Sequence, residues 1–169
     1  QHSVTLRNGV DLDNFSSGDR AAARAALGLR RFTLLSVGSL IRRKGHHIAI
    51  QALANLPDCD LLIAGSGPLR NKLQHLAVRA GVADRVRYLG EVRHAALADI
   101  YRAADVMVVA SDREGWANVL LEAMACGTPV VATDVKGPPQ VRRGPQAGVL
   151  MGAPTPAALI EALEQLRRN

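Results

Sequence analysis

Two glutamates eight residues apart, Glu114 and Glu122, bracket the stretch EGWANVLLE. A carboxylate is a poor partner for phosphate but a good acceptor for sugar or ribose hydroxyls. On one continuous helix the two would stand ~12 Å apart and ~80° around the axis, too far to share a ligand easily. Gly115 and the capping-type Asn118 argue for a different arrangement. They make Glu114 a loop residue and put Glu122 on the second turn of a helix that starts at Val119. Folded back over the helix start, Glu114 would face the same ligand as Glu122, and the bare N–H groups of the first turn would receive a phosphate. The ligand this constellation calls for carries both phosphate and several hydroxyls. The competing reading is a pair of solvated surface charges, the usual fate of glutamate.

A second cluster lies in GSLIRRKG, Gly38 to Gly45, where Arg42, Arg43 and Lys44 sit in a glycine-bounded turn. It lacks the Gly-Lys-Ser/Thr ending of a P-loop and the G-x-G-x-x-G of a dinucleotide fingerprint. A lysine beside a helix N-terminus is nonetheless good anion chemistry; the alternative is a solvated basic turn. The turn GSGPLR offers Gly65 and Gly67 for close backbone approach and Pro68 for a first helical position. In GEVRH, spacing assigns no chemistry, and Glu91, Arg93 and His94 read as surface residues, as does His75. Two D-x-D pairs, Asp11/Asp13 and Asp58/Asp60, resemble metal–diphosphate sites only locally. The first precedes the sheet and the second enters a strand from its amino end. His46 and His47 are adjacent and cannot share a helix face, so no metal site is expected.

The elements that must position these groups follow from apolar patterning. Short β-branched runs recur at 32–37, 61–64, 86–89, 106–110, 130–132 and 149–151. Little polar alternation interrupts them, as expected of strands covered on both faces of a parallel sheet. Segments with helical period lie between, at 47–55, 69–80, 95–103, 119–126 and 157–167. Alternation of this kind predicts an α/β fold with a Rossmann-like, doubly wound parallel sheet. Thr155-Pro156 opens the last helix as cap and first position. In such a sheet, ligands sit beyond the carboxyl ends of the strands. Residues 1–18 read as a lead-in segment outside the core, and 19–169 as the domain.

Bulk properties agree with this. The chain has 169 residues, 48% apolar and 21% charged, which suits one domain with a real core. Aromatics are only 3%, so the core must be aliphatic. A net charge of +6 permits an anionic partner. The absence of a basic arm and the scarcity of aromatics argue against nucleic acid. Two cysteines, Cys59 and Cys126, form no disulfide framework and suggest a reducing compartment. Cys126 reads as a small packing residue. The sequence contains no signal-peptide core and no run of ~18 apolar residues. The expected location is the cytoplasm, with the inner face of the membrane as the alternative.

The block EGWANVLLEAMACGTPVVATDV resembles the E-x7-E motif and following strand of glycosyltransferase family four, retaining enzymes of the GT-B fold. NGVDLDNF, GSLIRRKGHHIAIQAL, DLLIAGSGPLRNKL, VRYLGEV and LADIYRAADVMVVAS agree with that family in order, so the resemblance covers nearly the whole chain. It implies a C-terminal donor domain, whose partner would be its own N-terminal acceptor domain, missing from this chain. Any membrane contact would run through that partner domain. The substrate would be a nucleoside-diphosphate sugar, with no cofactor and no metal.

By this resemblance Lys44 meets the donor diphosphate, while Glu114 and the backbone of Gly115, Trp116, Ala117 and Asn118 hold hexose and diphosphate. Val119 follows in the same helix start, and Glu122 accepts from ribose hydroxyls. Gly67 approaches the nucleotide, and Glu91 and Val92 lie near the base. Glu114 and Lys44 are the groups closest to the chemistry. Many members carry Arg after the glycine at Gly38; here Ser39 stands there, with Arg42 as the neighbouring cation. A non-catalytic nucleotide-binding regulatory module using the same pocket is the alternative reading.

Overall fold

In the computed structural model, residues 9–113, 118–134 and 148–168 are described. Among these residues six strands, all parallel, make one sheet in the order β3-β2-β1-β4-β5-β6. They are β1 (Phe32–Val37), β2 (Cys59–Ala64), β3 (Val86–Gly90), β4 (Val106–Val109), β5 (Val130–Thr133) and β6 (Gly148–Met151). The helices are α1 (Arg20–Ala26), α2 (His46–Leu53), α3 (Arg70–Arg79), α4 (Leu97–Ala103), α5 (Asn118–Ala125) and α6 (Pro156–Arg168). From β1 the chain winds outward to β3, then returns to place β4 on the other side of β1. The strand order therefore reverses between β1 and β4, where a doubly wound sheet opens its ligand crevice.

The sheet is buried on both faces because successive side chains alternate between them. Leu34, Leu61, Ile63, Val108 and Val131 point to a core roofed by α2, α3 and α6. Leu35, Leu62, Met107 and Val130 point to the other, roofed by α4 and α5. Full burial of each such side chain stabilises the fold by about 1.5–3 kcal/mol relative to exposure. Cys59 and Cys126 are free and buried, one in each core. Thr155 accepts the amide of Ala158 at 3.2 Å on its side chain, so Thr155-Pro156 opens α6 as the sequence indicates.

Several elements differ from expectation. Helix α1 is an addition: its seven residues bury only Ala23. It is held from outside by an Asp19 cap and by Arg20 and Arg24, which both pair with Asp105. Asp105 also accepts the Thr33 amide at 2.7 Å and so ties α1 to β1. Phe15, inside the segment expected to stay out of the core, is fully buried there. Pro68 lies in a turn, because α3 begins two residues later, at Arg70. Helix α5 begins at Asn118 itself rather than at Val119. Among the described residues, no helix is long and apolar enough to cross a membrane.

Candidate functional site

The loops leaving β1, β2 and β4 at their carboxyl ends are bound to one another through the backbone. Gly38 donates to Ala64 O at 2.9 Å, Leu40 to Ser66 O at 2.8 Å, and Leu69 to Leu40 O at 3.0 Å. Across the crevice, Asp112 donates to Arg43 O at 3.0 Å. Two glycines make this closeness possible. A Cβ on Gly65 would stand 2.0 Å from Gly38 O, and one on Gly45 would stand 1.9 Å from Ala110 O. Gly45 also has φ +70°, in the left-handed region. A side chain at either position would drive the loops apart.

Lys44 is the last residue of a short 3-10 turn, Arg42–Lys44, that leads into α2. Its stem runs along Gly38, with Cδ and Cε 3.6 Å from where a Cβ there would be. Ser39 and Gly38 line a cleft of about 180 Å³ together with Gly65, Ser66, Glu91 and Val92. Gly67 adjoins it, packed so that a Cβ would lie 2.7 Å from Leu40 N. The cleft thus gathers Ser39, Glu91 and Val92 at the β1–β2 side of the edge. Arg42 is elsewhere: it lines a separate hollow with His47, Leu69 and Lys72, between the start of α2 and the length of α3 down to Arg79.

Behind the cationic turn stands a residue that spacing did not single out. His46 is buried at the start of α2. Its Nε2 lies 3.2 Å from Ser39 O and its Nδ1 2.8 Å from Ser36 Oγ. A carbonyl oxygen only accepts, so Nε2 carries the proton and Ser36 donates to Nδ1. This neutral imidazole pins the Ser39 backbone. Burial, the largest influence, holds its pKa below the ordinary histidine value, and the Lys44 charge acts in the same direction.

Glu122 sits on α5, 7% exposed. Tyr101 Oη, from α4, donates to its Oε2 at 2.8 Å. His94 Nε2 approaches its Oε1 at 3.1 Å. Neither partner was foreseen, since they lie 21 and 28 positions away in sequence and His94 read as a surface residue. Its side chain is indeed 65% exposed, yet it shares this carboxylate. Burial, reinforced by the Glu122 charge, pushes the Tyr101 pKa far up, so the phenol stays a proton donor. His94 lies three residues beyond Glu91, so one loop supplies both a wall of the cleft and a hold on Glu122.

Asn118 is exposed as the first residue of α5, with Val119 half-buried behind it. Glu114, Gly115, Trp116 and Ala117 lie outside the described residues. Asp60 pairs with Arg31 and Asp58 with Arg167, away from the cleft. Among the described residues, no group of three or more His, Cys, Asp or Glu side chains gathers in a way that could hold a metal ion.

A match to the family described as glycosyl transferases group 1 spans residues 19–169. A D-inositol 3-phosphate glycosyltransferase of Mycobacterium sp. (strain KMS) is 44% identical over 151 residues, covering 85% of this chain and 34% of its own length. Anabaena HepE, solved in complex with UDP and glucose, superposes with a TM-score of 0.86 at 26% identity. That match covers 96% of this chain and 46% of HepE. The C-terminal domain of the group 1 glycosyl transferase LpcC from Francisella tularensis gives a TM-score of 0.82 at 22% identity, covering 95% of this chain and 89% of that one. The chain belongs to the group 1 glycosyl transferases. Its fold is that of the C-terminal half of a GT-B glycosyltransferase, and it spans about a third of the length of the curated relative described above.

Proposed function

We propose that this domain binds a nucleoside-diphosphate sugar across the crevice between β1 and β4. In the intact protein the hexose passes to an acceptor hydroxyl with its anomeric configuration retained. Lys44 meets the diphosphate, and Glu122 accepts from the ribose hydroxyls. Ser39, Glu91, Val92 and Gly67 border the nucleotide. Glu114 and the segment through Asn118 and Val119 hold the hexose and diphosphate. As the sugar leaves, the diphosphate gains negative charge, and a fixed cation at that point lowers the barrier. Closure against the acceptor domain completes the site, so the chain by itself turns over little.

The observation that carries this reading is Glu122: a nearly buried carboxylate, one turn into the helix that follows the crevice, held by two side chains. Each carboxylate oxygen has two acceptor positions, and among the described residues each is used once, which leaves a position on each for a ligand hydroxyl. HepE's complex with UDP and glucose makes UDP the first nucleotide to try.

The test is calorimetric titration of the chain with UDP, GDP and ADP, alongside Lys44→Ala and Glu122→Ala. Loss of one charged hydrogen bond costs about 1.5–3 kcal/mol, so both variants should weaken binding at least ~10-fold. Binding indifferent to both substitutions would refute the assigned roles.

A further inference from the structure

The carboxylate of Glu122 does not set its own direction. Among the described residues, the side chains that hydrogen-bond to it come from the segment 94–101. Tyr101 reaches it from inside the protein, where the ring is fully buried. The backbone of Tyr101 is in turn held by Thr128, whose hydroxyl donates to Tyr101 O at 2.6 Å. His94 reaches the other oxygen from the solvent side. Phe15 fills the space between the two: its ring meets His94 edge-on at 4.8 Å and Tyr101 at 5.9 Å. A carboxylate gripped at both oxygens cannot rotate about its last bond, so its remaining lone pairs point in fixed directions.

We propose that Tyr101 and His94 are positioning residues for nucleotide recognition, aiming Glu122 so that it reads the ribose hydroxyls although Tyr101 never touches the ligand. This rests on the reading of Glu122 as the ribose acceptor. The phenol is suited to the task because it keeps its proton, buried and beside a carboxylate. His94 supplies the second point, without which the carboxylate would pivot about the Tyr101 bond.

The test uses whichever of UDP, GDP and ADP binds tightest, together with its 2′,3′-dideoxy analogue. Four proteins are titrated: the unaltered chain, Glu122→Gln, Tyr101→Phe and His94→Ala. The unaltered chain should prefer the ribonucleotide by about tenfold or more, the worth of a hydrogen bond to a charged group. Glu122→Gln should lose most of that preference. Tyr101→Phe and His94→Ala should each reduce it about 3- to 10-fold while leaving affinity for the dideoxy analogue unchanged. His94 is exposed, so its variant remains informative even where Tyr101→Phe folds poorly. If both positioning variants keep the full preference while Glu122→Gln loses it, the proposal falls and the donor-site reading stands. Equal weakening of both ligands would reduce Tyr101 and His94 to structural roles and likewise overturn it. An unaltered chain that binds no nucleotide, or that ignores the ribose hydroxyls, overturns both.

Discussion

The two sides of the crevice hold their functional groups by different means. On the β1–β2 side, Lys44 and Ser39 are carried mainly by backbone bound to backbone, with glycines allowing loops to touch and the buried His46 imidazole bracing Ser39 O. On the α5 side, the partners of Glu122 among the described residues are side chains, a phenol and an imidazole from the segment 94–101. A backbone lattice tolerates almost any side chain except at the glycines themselves. A side-chain clamp tolerates changes around it but fails when one donor is removed. The β1–β2 side should therefore be robust in chemistry and brittle in sterics, and the α5 side the reverse.

The largest break is steric. Gly65→Val and Gly45→Val each put a Cβ about 2 Å from a carbonyl oxygen, a distance only backbone movement can relieve. Each should cost roughly 4 kcal/mol or more, seen as a lowered denaturation midpoint or loss of the folded state. A cost no larger than that of a substitution at a neutral surface site would show that the loops are not locked as described.

Next in size is the clamp. Tyr101→Phe leaves a nearly buried carboxylate oxygen without its donor, which should destabilise the fold by about 1–3 kcal/mol. Glu122→Met in the same background should add less than its separate cost, because the two act as one unit; a double-mutant cycle measures the coupling. Strict additivity would mean the hydrogen bond contributes nothing.

The smallest effect is a pH dependence on the cationic side. His46 has its folded pKa lowered by burial, so the unfolded chain binds more protons as pH falls below the ordinary histidine value of about 6.5. Stability should therefore decline as pH drops through that region and level off below the folded pKa. His47, also lowered chiefly by burial, adds the same sign. His46→Gln should flatten the slope in pH-resolved unfolding curves, and an unchanged slope would assign it elsewhere.

The same contrast explains what could be read from the chain. All six strands were legible as short apolar runs, and β1, β2, β4 and β5 most clearly, because burial on both faces leaves such runs without alternation. The glycines at 38, 45, 65 and 67 were legible as punctuation. Their purpose was not: Gly67 is required first by Leu40, a contact between distant loops. Helix α1 escaped notice because its stability comes from Asp105, some 80 residues on, rather than from a hydrophobic stripe. Phe15, set among Asp, Asn and Ser, gave no periodic signal, yet it packs against His94 and Tyr101. Glu122 could be proposed from its spacing to Glu114, but its partners are tertiary and have no local pattern. The geometry of Glu114 itself lies outside the described residues.

The seam between β1 and β4 also has a kinetic meaning. Leu34 pairs with Leu61, 27 positions away, on one side and with Val106, 72 positions away, on the other. Closing the longer loop costs only about 0.9 kcal/mol more in chain entropy. That cost must be met before any contact across the seam repays it, so pairings so distant in sequence tend to form late. The unit from β1 to β3 can assemble while β4 is still free, but the contact of Gly45 with Ala110 cannot. Order of assembly then matters to the site: a chain caught halfway through folding has the Arg42–Lys44 turn packed on the β1–β2 side but not yet against Ala110. The finished crevice would arrive together with the final cooperative step.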